Sequence, residues 1–460
     1  MKRTLTEKAH NLRARMISSP PAQLLLRLDG FCQRRAFVLG IAAVLLYRVL
    51  LDLLYFGLLS ALYGYNAVND YYVGFEPLRY LSSYLAVILA APFLSELMRC
   101  KEASARLLTL ISLCYFLPLT CYYGCRGADV RFFITAVLYW ALLLFWQFHL
   151  PHLHLRPLSP RHVGMISSLA TFGFCALVMF ISGRYTHFRL MLSISNVYGI
   201  RAEAAQYSIP GFLSYPLSMA PIALAILLVY WLERKKYLVS AGIIVVYLFL
   251  FSIKGNKSTF LFLLLLLAGY FFYREWMYRY LPVGLSALAA LAVIWYRFTG
   301  TENILGNLFF RRMMFVPVHL SQSYCRFFSG NPLNLSRDGI LHWFSFSPVY
   351  STNIPRLIGE YLDAPAMNGN NGLLGDLFAN FPIPLGLLLL PLILIICFRL
   401  LDLFSHGLPG KLIVPICIYY MVGFQDTLWS TVLLTDGFLL AGLLLYIFPR
   451  KVVPQYEDGN

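Results

Sequence analysis

Long apolar blocks separated by short basic clusters constrain this chain more than any other feature of its sequence. Each block is close to the roughly 20 residues that an α-helix needs to cross the hydrocarbon core of a bilayer. Charged residues make up 13% of the 460 residues, against about a quarter in soluble domains. A soluble fold could not bury so much apolar surface, so we predict an all-α polytopic membrane protein.

We expect about twelve transmembrane helices. In chain order the predicted spans are Ala36–Leu62, Tyr80–Leu97, Arg106–Tyr123, Arg131–His149, Val163–Ile181, Phe212–Leu232, Tyr237–Phe251, Ser258–Tyr273, Leu281–Arg297, Ile383–Leu401, Lys411–Phe424 and Thr431–Phe448. The seventh and eighth spans are short and nearly adjacent. Gly and Asn in the connection between them favour a turn, which predicts a helical hairpin.

Basic residues near the ends of the spans predict the orientation, because cytoplasmic loops carry an excess of Lys and Arg. With the N-terminus in the cytoplasm, the basic connections 99–101, 156–161, 234–236, 274–279 and 450–451 all fall inside. The alternation holds from end to end. It therefore places both termini of a multi-pass protein in the cytoplasm.

This topology divides the chain into five parts. They are a basic cytoplasmic N-terminal segment (1–35), nine spans with an external loop at 183–211 (36–297), a large external loop between the ninth and tenth spans (298–382), three further spans (383–448) and a cytoplasmic tail (449–460). Loops of this length in compact proteins are commonly functional. Within the large loop, the apolar pattern of Asn307–Arg326 predicts a helix resting on the membrane surface.

The external basic residues are mostly arginine. Fourteen of the 37 basic residues lie outside in this topology, and they comprise twelve Arg and two Lys. Arginine pairs with phosphate or carboxylate through two parallel hydrogen bonds, so the bias predicts an anionic ligand. The plain alternative is that long external loops tolerate charge freely. Because the charge is placed as topology signals are, we expect no nucleic-acid partner.

Four motifs lie in the predicted external segments. They are Asn196-Val197-Tyr198-Gly199-Ile200-Arg201-Ala202-Glu203, Lys254-Gly255-Asn256-Lys257-Ser258, Arg311-Arg312-Met313-Met314-Phe315-Val316-Pro317, and Asn368-Gly369-Asn370-Asn371-Gly372-Leu373-Leu374-Gly375-Asp376-Leu377-Phe378-Ala379-Asn380. In this order, over about 196–387, they resemble the motifs of Wzy-type O-antigen or oligosaccharide repeat-unit polymerases. One departure is Phe381-Pro382-Ile383-Pro384, where the family has a Phe-Gly-x-x-Gly type sequence.

The resemblance implies a GT-C-like polymerase in a bacterial inner membrane, with the large loop in the periplasm. Its substrate would be a polyprenyl-diphosphate-linked oligosaccharide, and it would transfer the growing glycan onto a new lipid-linked repeat unit. The donor is already in the membrane, so we expect no nucleotide-sugar domain, metal or cofactor. The implied partners are the lipid bilayer and a chain-length regulator and flippase of the same pathway.

The basic residues of the motifs are candidates for binding the diphosphate, on which charge develops in the transition state. Arg201, in one motif with Tyr198, is a candidate clamp or an interfacial anchor. Glu203, two residues further on, is a candidate hydrogen-bonding partner of the acceptor or a solvated charge. Lys257 begins a helix, whose free N–H groups favour an anion, or it lies in a purely structural turn. Arg311 and Arg312 cannot face the same way on a helix, and we prefer Arg312 as the phosphate ligand.

Asp376 and Asn380 share a helical face four residues apart and, with Asn370, are candidates to line a sugar site. A helix cap rich in Asn is the plain alternative. A general base must also take a proton from the acceptor hydroxyl. The candidates are Asp338, His319, Glu203 and Asp376, and the sequence does not choose among them.

Three alternatives remain open. One is the lipid-linked O-antigen ligase, which uses lipid A as acceptor. The second is a polyprenyl-phosphate-sugar glycosyltransferase, for which Asp70 and Glu76 lie in the first external loop without forming an acidic pair. The third is a lipid-oligosaccharide flippase or transporter, which needs ionisable residues inside its spans. Arg48 and Asp52 are such residues, spaced to neutralise each other in the first span.

Overall fold

The computed structural model describes residues 20–64, 71–151, 153, 155, 160–190, 199, 203–204, 206–255, 257–337 and 339–448. Within these ranges, the side chains of 20–34, 160, 161, 254, 257, 258 and 343 are outside the description. The chain so described contains helices and no strand. The prediction of an all-α fold is confirmed for these ranges.

We label the main helices in chain order. They are α1 (Arg35–Tyr63), α2 (Pro77–Leu97), α3 (Ala103–Arg126), α4 (Val130–His149), α5 (His162–Thr186), α6 (Gly211–Glu233), α7 (Tyr237–Lys254), α8 (Lys257–Phe272), α9 (Leu281–Thr299), α10 (Leu305–Phe315), α11 (Val316–Gly330), α12 (Ile354–Tyr361), α13 (Leu374–Asn380), α14 (Ile383–Ser405), α15 (Gly410–Asp426) and α16 (Trp429–Tyr446).

Nine helices in the described part of the chain are long and apolar enough to cross a membrane, namely α1–α6, α9, α14 and α16. Shorter apolar helices form α7 and α8. The hairpin predicted there is confirmed, because Gly255 ends α7 in the left-handed region at φ 60° and its N–H donates to the Phe251 carbonyl at 2.8 Å. Glycine adopts this conformation without the strain that a Cβ would introduce.

Contacts between helix ends sort the connections into two faces. At one, which we call the loop face, Tyr63 donates to Glu302 at 2.6 Å and the Trp429 N–H donates to Asp376 at 3.1 Å. At the other, which we call the basic face, the pairs are Ser104 with Asp402, Arg106 with Glu275, and Lys411 with Glu233. The connections at each face are those that the charge pattern places on one side of the membrane.

The consecutive helices α10 and α11 pack inside the bundle. Phe315 and Val318 are fully buried, and the hydroxyl groups of Ser321 on α11 and Tyr115 on α3 lie 2.5 Å apart. The prediction that Asn307–Arg326 rests on the membrane surface is therefore wrong. Its apolar face has the pattern of an interfacial helix, but its polar face is also covered by protein.

Arg48 and Asp52 form a buried ion pair in α1. Arg48 also donates to the Thr120 side chain at 3.1 Å, and Asp52 accepts from Tyr80 and Tyr84 at 2.9 and 2.6 Å. A charge inside a membrane protein is tolerated when it is paired in this way. These contacts make the ion pair a structural link between α1, α2 and α3. They do not place either charge in a transport cavity.

Gly372 is predicted to tolerate no side chain. A Cβ there would fall on the carbonyl oxygens of Phe424 and Thr427, which are backbone atoms that cannot move aside independently. We expect Gly372→Ala to destabilise the protein by about 1–3 kcal/mol, as overpacking typically does. Thermal unfolding of the purified protein in detergent measures the change.

Gly242→Ala, in α7, is the matched control because nothing lies within 4 Å of its added Cβ. A helical Gly→Ala change without a clash is neutral or stabilising. Equal thermal midpoints for the two variants would contradict the packing described for Gly372.

Candidate active site

A cavity lined by both polar and apolar side chains lies at the loop face, between α11, α12, α13 and the junction of α15 and α16. Its volume is about 180 Å³, below the roughly 300–1,000 Å³ of pockets that enclose whole drug-sized ligands. It therefore fits a group about as large as one sugar ring. We call it the loop-face cavity, and it is lined by Tyr324, Asn334, Ile354, Pro355, Asn370, Asn371, Ala379, Asn380, Asp426, Thr427, Leu428 and Thr431.

The Asn371 carboxamide holds one wall of the cavity by joining α11 to the start of α13. Its Nδ2 donates to the Pro317 carbonyl at 2.6 Å. Its Oδ1 accepts from the Ser321 hydroxyl at 2.9 Å and from the Gly375 N–H at 3.1 Å. Asn371 and Ser321 are buried, so their hydrogen bonds are made away from water, where an unpaired polar group would be costly.

The backbone next to Asn371 approaches α15 closely. The Gly372 N–H donates to the Gln425 carbonyl at 2.7 Å, one residue before Asp426. Leu373 follows at φ 45° and ψ −106°, a conformation that non-glycine residues rarely adopt. Such strain persists only where the surrounding contacts enforce it, and here those contacts fix the position of α15 against the cavity wall.

Asp376 and Asn380 bond to each other on one face of α13, as their spacing predicts. Asn380 Nδ2 donates to Asp376 Oδ1 at 2.8 Å, and Asp376 Oδ2 accepts from the Trp429 N–H at 3.1 Å. Both side chains are buried. Asp376 therefore holds the N-terminus of α16 in the manner of a cap. Asn380 and Asn370 are the members of the predicted sugar site that line the cavity.

A tight turn after α11 forms part of the cavity rim. The Asn334 N–H donates to the Ala379 carbonyl at 2.8 Å, and the Ser336 N–H donates to Asn380 Oδ1 at 2.7 Å. Leu335 and Ser336 both have φ 56°. The turn leads to half-buried Arg337. The predicted base Asp338 follows it and lies outside the described residues.

Asp426 is the carboxylate in the cavity lining, and it was not among the predicted bases. It is the last residue of α15, two positions beyond the predicted end of the apolar span. Solvent reaches its side chain from the cavity. The side chain is exposed at the cavity, but the protein packed around its carboxyl removes part of the hydration of the charged form, which raises the pKa of the Asp426 carboxyl from an ordinary 3.8 to about 7. A carboxyl group poised near neutral pH is well matched to accepting or donating a proton.

A second polar group, which we call the Arg126 cluster, lies between α3 and α11. Buried Arg126 donates to Gln322 at 3.5 Å, and its guanidinium lies 4.8 Å from the ring centroid of Tyr72 and 5.3 Å from that of Tyr122. Gln322 Nε2 and the Tyr71 hydroxyl are buried without a hydrogen-bond partner among the described residues. These groups bring a cation and two further donors together, as anion recognition requires.

The other predicted residues of α10 and α11 lie around this cluster. Buried His319 shares a 2.9 Å hydrogen bond with the Tyr122 hydroxyl through Nδ1. Arg311 is buried and donates through Nε and Nη2 to Asn307 Oδ1 at 3.0 and 2.7 Å. Arg312 is exposed. The prediction that Arg311 and Arg312 face different ways is confirmed, and the preference for Arg312 as phosphate ligand stays a prediction.

Glu203 lies on the surface, away from the residues that line the loop-face cavity. It forms an ion pair with Arg189 at 2.5 Å and accepts from the Tyr207 hydroxyl at 2.9 Å. The Arg189 hydrogen bond holds the pKa of the Glu203 carboxyl below its usual range. A carboxylate held in this way is a weak proton acceptor, so its contacts favour a structural role over that of a base.

Four predicted site residues remain untested by the geometry. Tyr198 and Arg201 lie outside the described residues, as Asp338 does. The backbone of Lys257 begins α8 as predicted, but its side chain is outside the description. Their assignments to the substrate stay predictions.

Asp52, Cys121 and Cys125 bring one potential metal ligand each within 4.8 Å of one another. The Asp52 oxygens already accept from Arg48, Tyr80 and Tyr84. A cation would therefore have to replace the Arg48 guanidinium. The contacts favour the ion pair as the resident state of this carboxylate.

Asp426 and Arg126 are the two residues that sequence reasoning missed. Both lie at helix ends next to short connections, whereas most of the predicted site residues lie in the two long external segments. A signal was present for Asp426, since an acidic residue ends an apolar span on the Arg-rich face. In the sequence, Arg126 is only one of the fourteen basic residues that the predicted topology places outside.

Comparison of the chain with protein-family models, with curated proteins and with solved structures finds no match. The function of the chain is therefore inferred from its own residues and geometry.

The raised pKa of Asp426 predicts a pH-dependent stability. The native state keeps this proton up to about pH 7, whereas an unfolded Asp releases it near 3.9. Between these values the native state binds more protons, so stability falls as the pH rises from about 4 to about 7. We expect the thermal midpoint of the wild type to fall relative to that of Asp426→Asn between pH 5 and pH 8.

Thermal unfolding in detergent at several pH values measures this difference. Asp363→Asn changes an exposed carboxylate of the large loop segment and serves as the control, with a constant offset from the wild type. A pH-independent offset for Asp426→Asn would contradict the raised pKa.

Proposed function

We propose that this protein is a glycosyltransferase that polymerises polyprenyl-diphosphate-linked oligosaccharide repeat units at the periplasmic face of a bacterial inner membrane. The growing glycan leaves its lipid diphosphate and joins a hydroxyl at the non-reducing end of a new lipid-linked unit. In this proposal the loop face is periplasmic and both termini are cytoplasmic. The helices α7, α8 and α15 complete the twelve spans of a GT-C-like fold.

The observation that carries the proposal is a cavity of mixed polar and apolar lining at one end of an apolar helical bundle. Its lining combines amides, hydroxyl groups and a carboxylate with the apolar side chains of Ile354 and Leu428. Sugars present hydroxyl groups that need such donors and acceptors, together with C–H faces that pack on apolar carbon. A cavity of this kind at the end of membrane helices suits a glycan carried on a lipid.

The Arg126 cluster supports the proposal because its cation suits the diphosphate leaving group. Negative charge develops on the diphosphate as the glycosidic bond breaks, and preorganised cations stabilise that charge in the transition state. Arg126 is held by aromatic faces and the Gln322 carboxamide. Helix α11 links the two regions, because Gln322 contacts Arg126 and Tyr324 lines the cavity.

Deleting the gene in its host tests the function. We expect gel analysis of the surface glycan to show lipid A-core that carries single repeat units and no ladder, because transfer to the core does not require polymerisation. Restoring the gene on a plasmid should restore the ladder. Complete absence of repeat units on the core would instead indicate the ligase or the flippase and would falsify the polymerase proposal.

Arg126→Ala is predicted to shorten or abolish the ladder. Removing one preorganised donor to a developing charge lowers turnover by about 100- to 1,000-fold, and Arg126→Lys should keep part of the activity by retaining the charge. Arg326→Ala, an exposed position on α11, is the control. Protein levels in the membrane are measured for each variant, and normal ladders in Arg126→Ala at wild-type levels would rule out the role of this cluster.

A further inference from the structure

The acceptor hydroxyl needs a proton acceptor, and most described carboxylates near the loop face already have partners. Asp376 accepts from Asn380 and Trp429, and Glu203 accepts from Arg189 and Tyr207. Asp52 is paired with Arg48 inside the bundle. Asp426, by contrast, makes no hydrogen bond or ion pair within the described part of the chain, and its carboxyl lines the cavity.

The lining of the cavity distinguishes a sugar from a phosphate. Among the residues that the structure describes, no Lys or Arg lines the cavity, so this part of the lining lacks the charges that a diphosphate requires. Asn370, Thr427 and Thr431 offer both donors and acceptors. This chemistry fits the neutral, hydroxyl-bearing end of a glycan, whereas the cationic Arg126 cluster suits the leaving group.

Several contacts hold the backbone on both sides of Asp426 in place. The Gln425 carbonyl accepts from Gly372, and the Thr427 N–H donates to the Gly423 carbonyl at 2.9 Å. Asp376 fixes the Trp429 N–H three residues further on. The segment that carries Asp426 is therefore fixed both before and after it, as positioning a catalytic group requires.

We propose that the loop-face cavity is the acceptor subsite and that Asp426 is the catalytic base. This inference rests on the proposed function. The Asp426 carboxylate takes the proton of the acceptor hydroxyl while the oxygen of that hydroxyl bonds to the anomeric carbon of the donor glycan. The bond from that carbon to the diphosphate oxygen breaks, and its electron pair leaves with the lipid diphosphate. The proton on Asp426 then passes to solvent through the cavity.

The pH dependence of turnover follows from the neighbours of Asp426. Tyr324 lines the same cavity, but its hydroxyl donates to the Gly369 carbonyl at 2.9 Å. Charged groups on adjacent elements are Asp376 behind the start of α16, Arg337 after the rim turn, and Arg356 on α12, which pairs with Glu360 at 3.5 Å. With the surrounding protein raising the pKa of Asp426 to about 7, the rate should rise with pH and level off above about pH 7.

The test uses the full-length protein in proteoliposomes with lipid-linked repeat units extracted from the deletion strain. Initial polymerisation rates are measured from pH 5.5 to 9 for the wild type, Asp426→Asn, Asp426→Glu and the control Asp363→Asn. We expect Asp426→Asn to lose about 100- to 10,000-fold in rate, the usual contribution of a general base. Asp426→Glu should keep measurable activity with a shifted pH profile, and Asp363→Asn should match the wild type.

The outcomes separate this inference from the proposed function. If the wild-type protein polymerises the units at a rate that does not change between pH 5.5 and 8, the role of Asp426 is overturned. This outcome does not depend on whether Asp426→Asn folds. A folded Asp426→Asn variant within threefold of the wild-type rate overturns it too, while the polymerase proposal stands. The proposed function itself is overturned if the wild-type protein forms no polymer in proteoliposomes and the host keeps its glycan ladder after the gene is deleted.

Discussion

The organisation of the loop face depends on the hydrogen bonds of the Asn371 carboxamide. It connects α13 to α11 through Ser321, whose hydroxyl also meets Tyr115 of α3. One chain of hydrogen bonds thus runs from the centre of the bundle to the cavity wall. Because hydrogen bonds in a poorly solvated interior polarise one another, this chain fixes α11 more firmly than its separate bonds would. The cavity and the Arg126 cluster both take their positions from α11.

Much of the scaffold followed from the sequence, because the membrane allows few solutions. Backbone groups in lipid must be satisfied within helices, so apolar blocks translate directly into helices, and every predicted span overlaps a described helix. Local rules were equally reliable where they depended on backbone geometry. Gly255 ended α7 as its freedom in φ requires, and the spacing of Asp376 and Asn380 placed them on one face of α13.

The site was harder to predict, because its residues come together only through tertiary packing. Asp426 is separated from Asn371 by more than fifty residues, and no local pattern shows that the two line one cavity. The amphipathic pattern of α10 and α11 does not reveal whether protein or lipid headgroups cover the polar face. Arg126 and Arg48 look alike as arginines at or in apolar spans. Arg48 has its partner Asp52 four residues further on in the same helix, as the spacing predicts. Gln322, which contacts Arg126, comes close to it only through tertiary packing.

Helix α3 is enclosed along its whole length, with all of its most apolar window buried, and this has a consequence for biogenesis. Several of its polar groups find their partners far along the chain: Arg106 pairs with Glu275, and Tyr115 bonds to Ser321. When α3 leaves the ribosome, these partners have not been synthesised. Its polar groups must then stay near water, the insertion machinery or earlier helices. We infer that α3 settles into its final environment late, so the centre of the bundle is completed only after the loop-face helices exist.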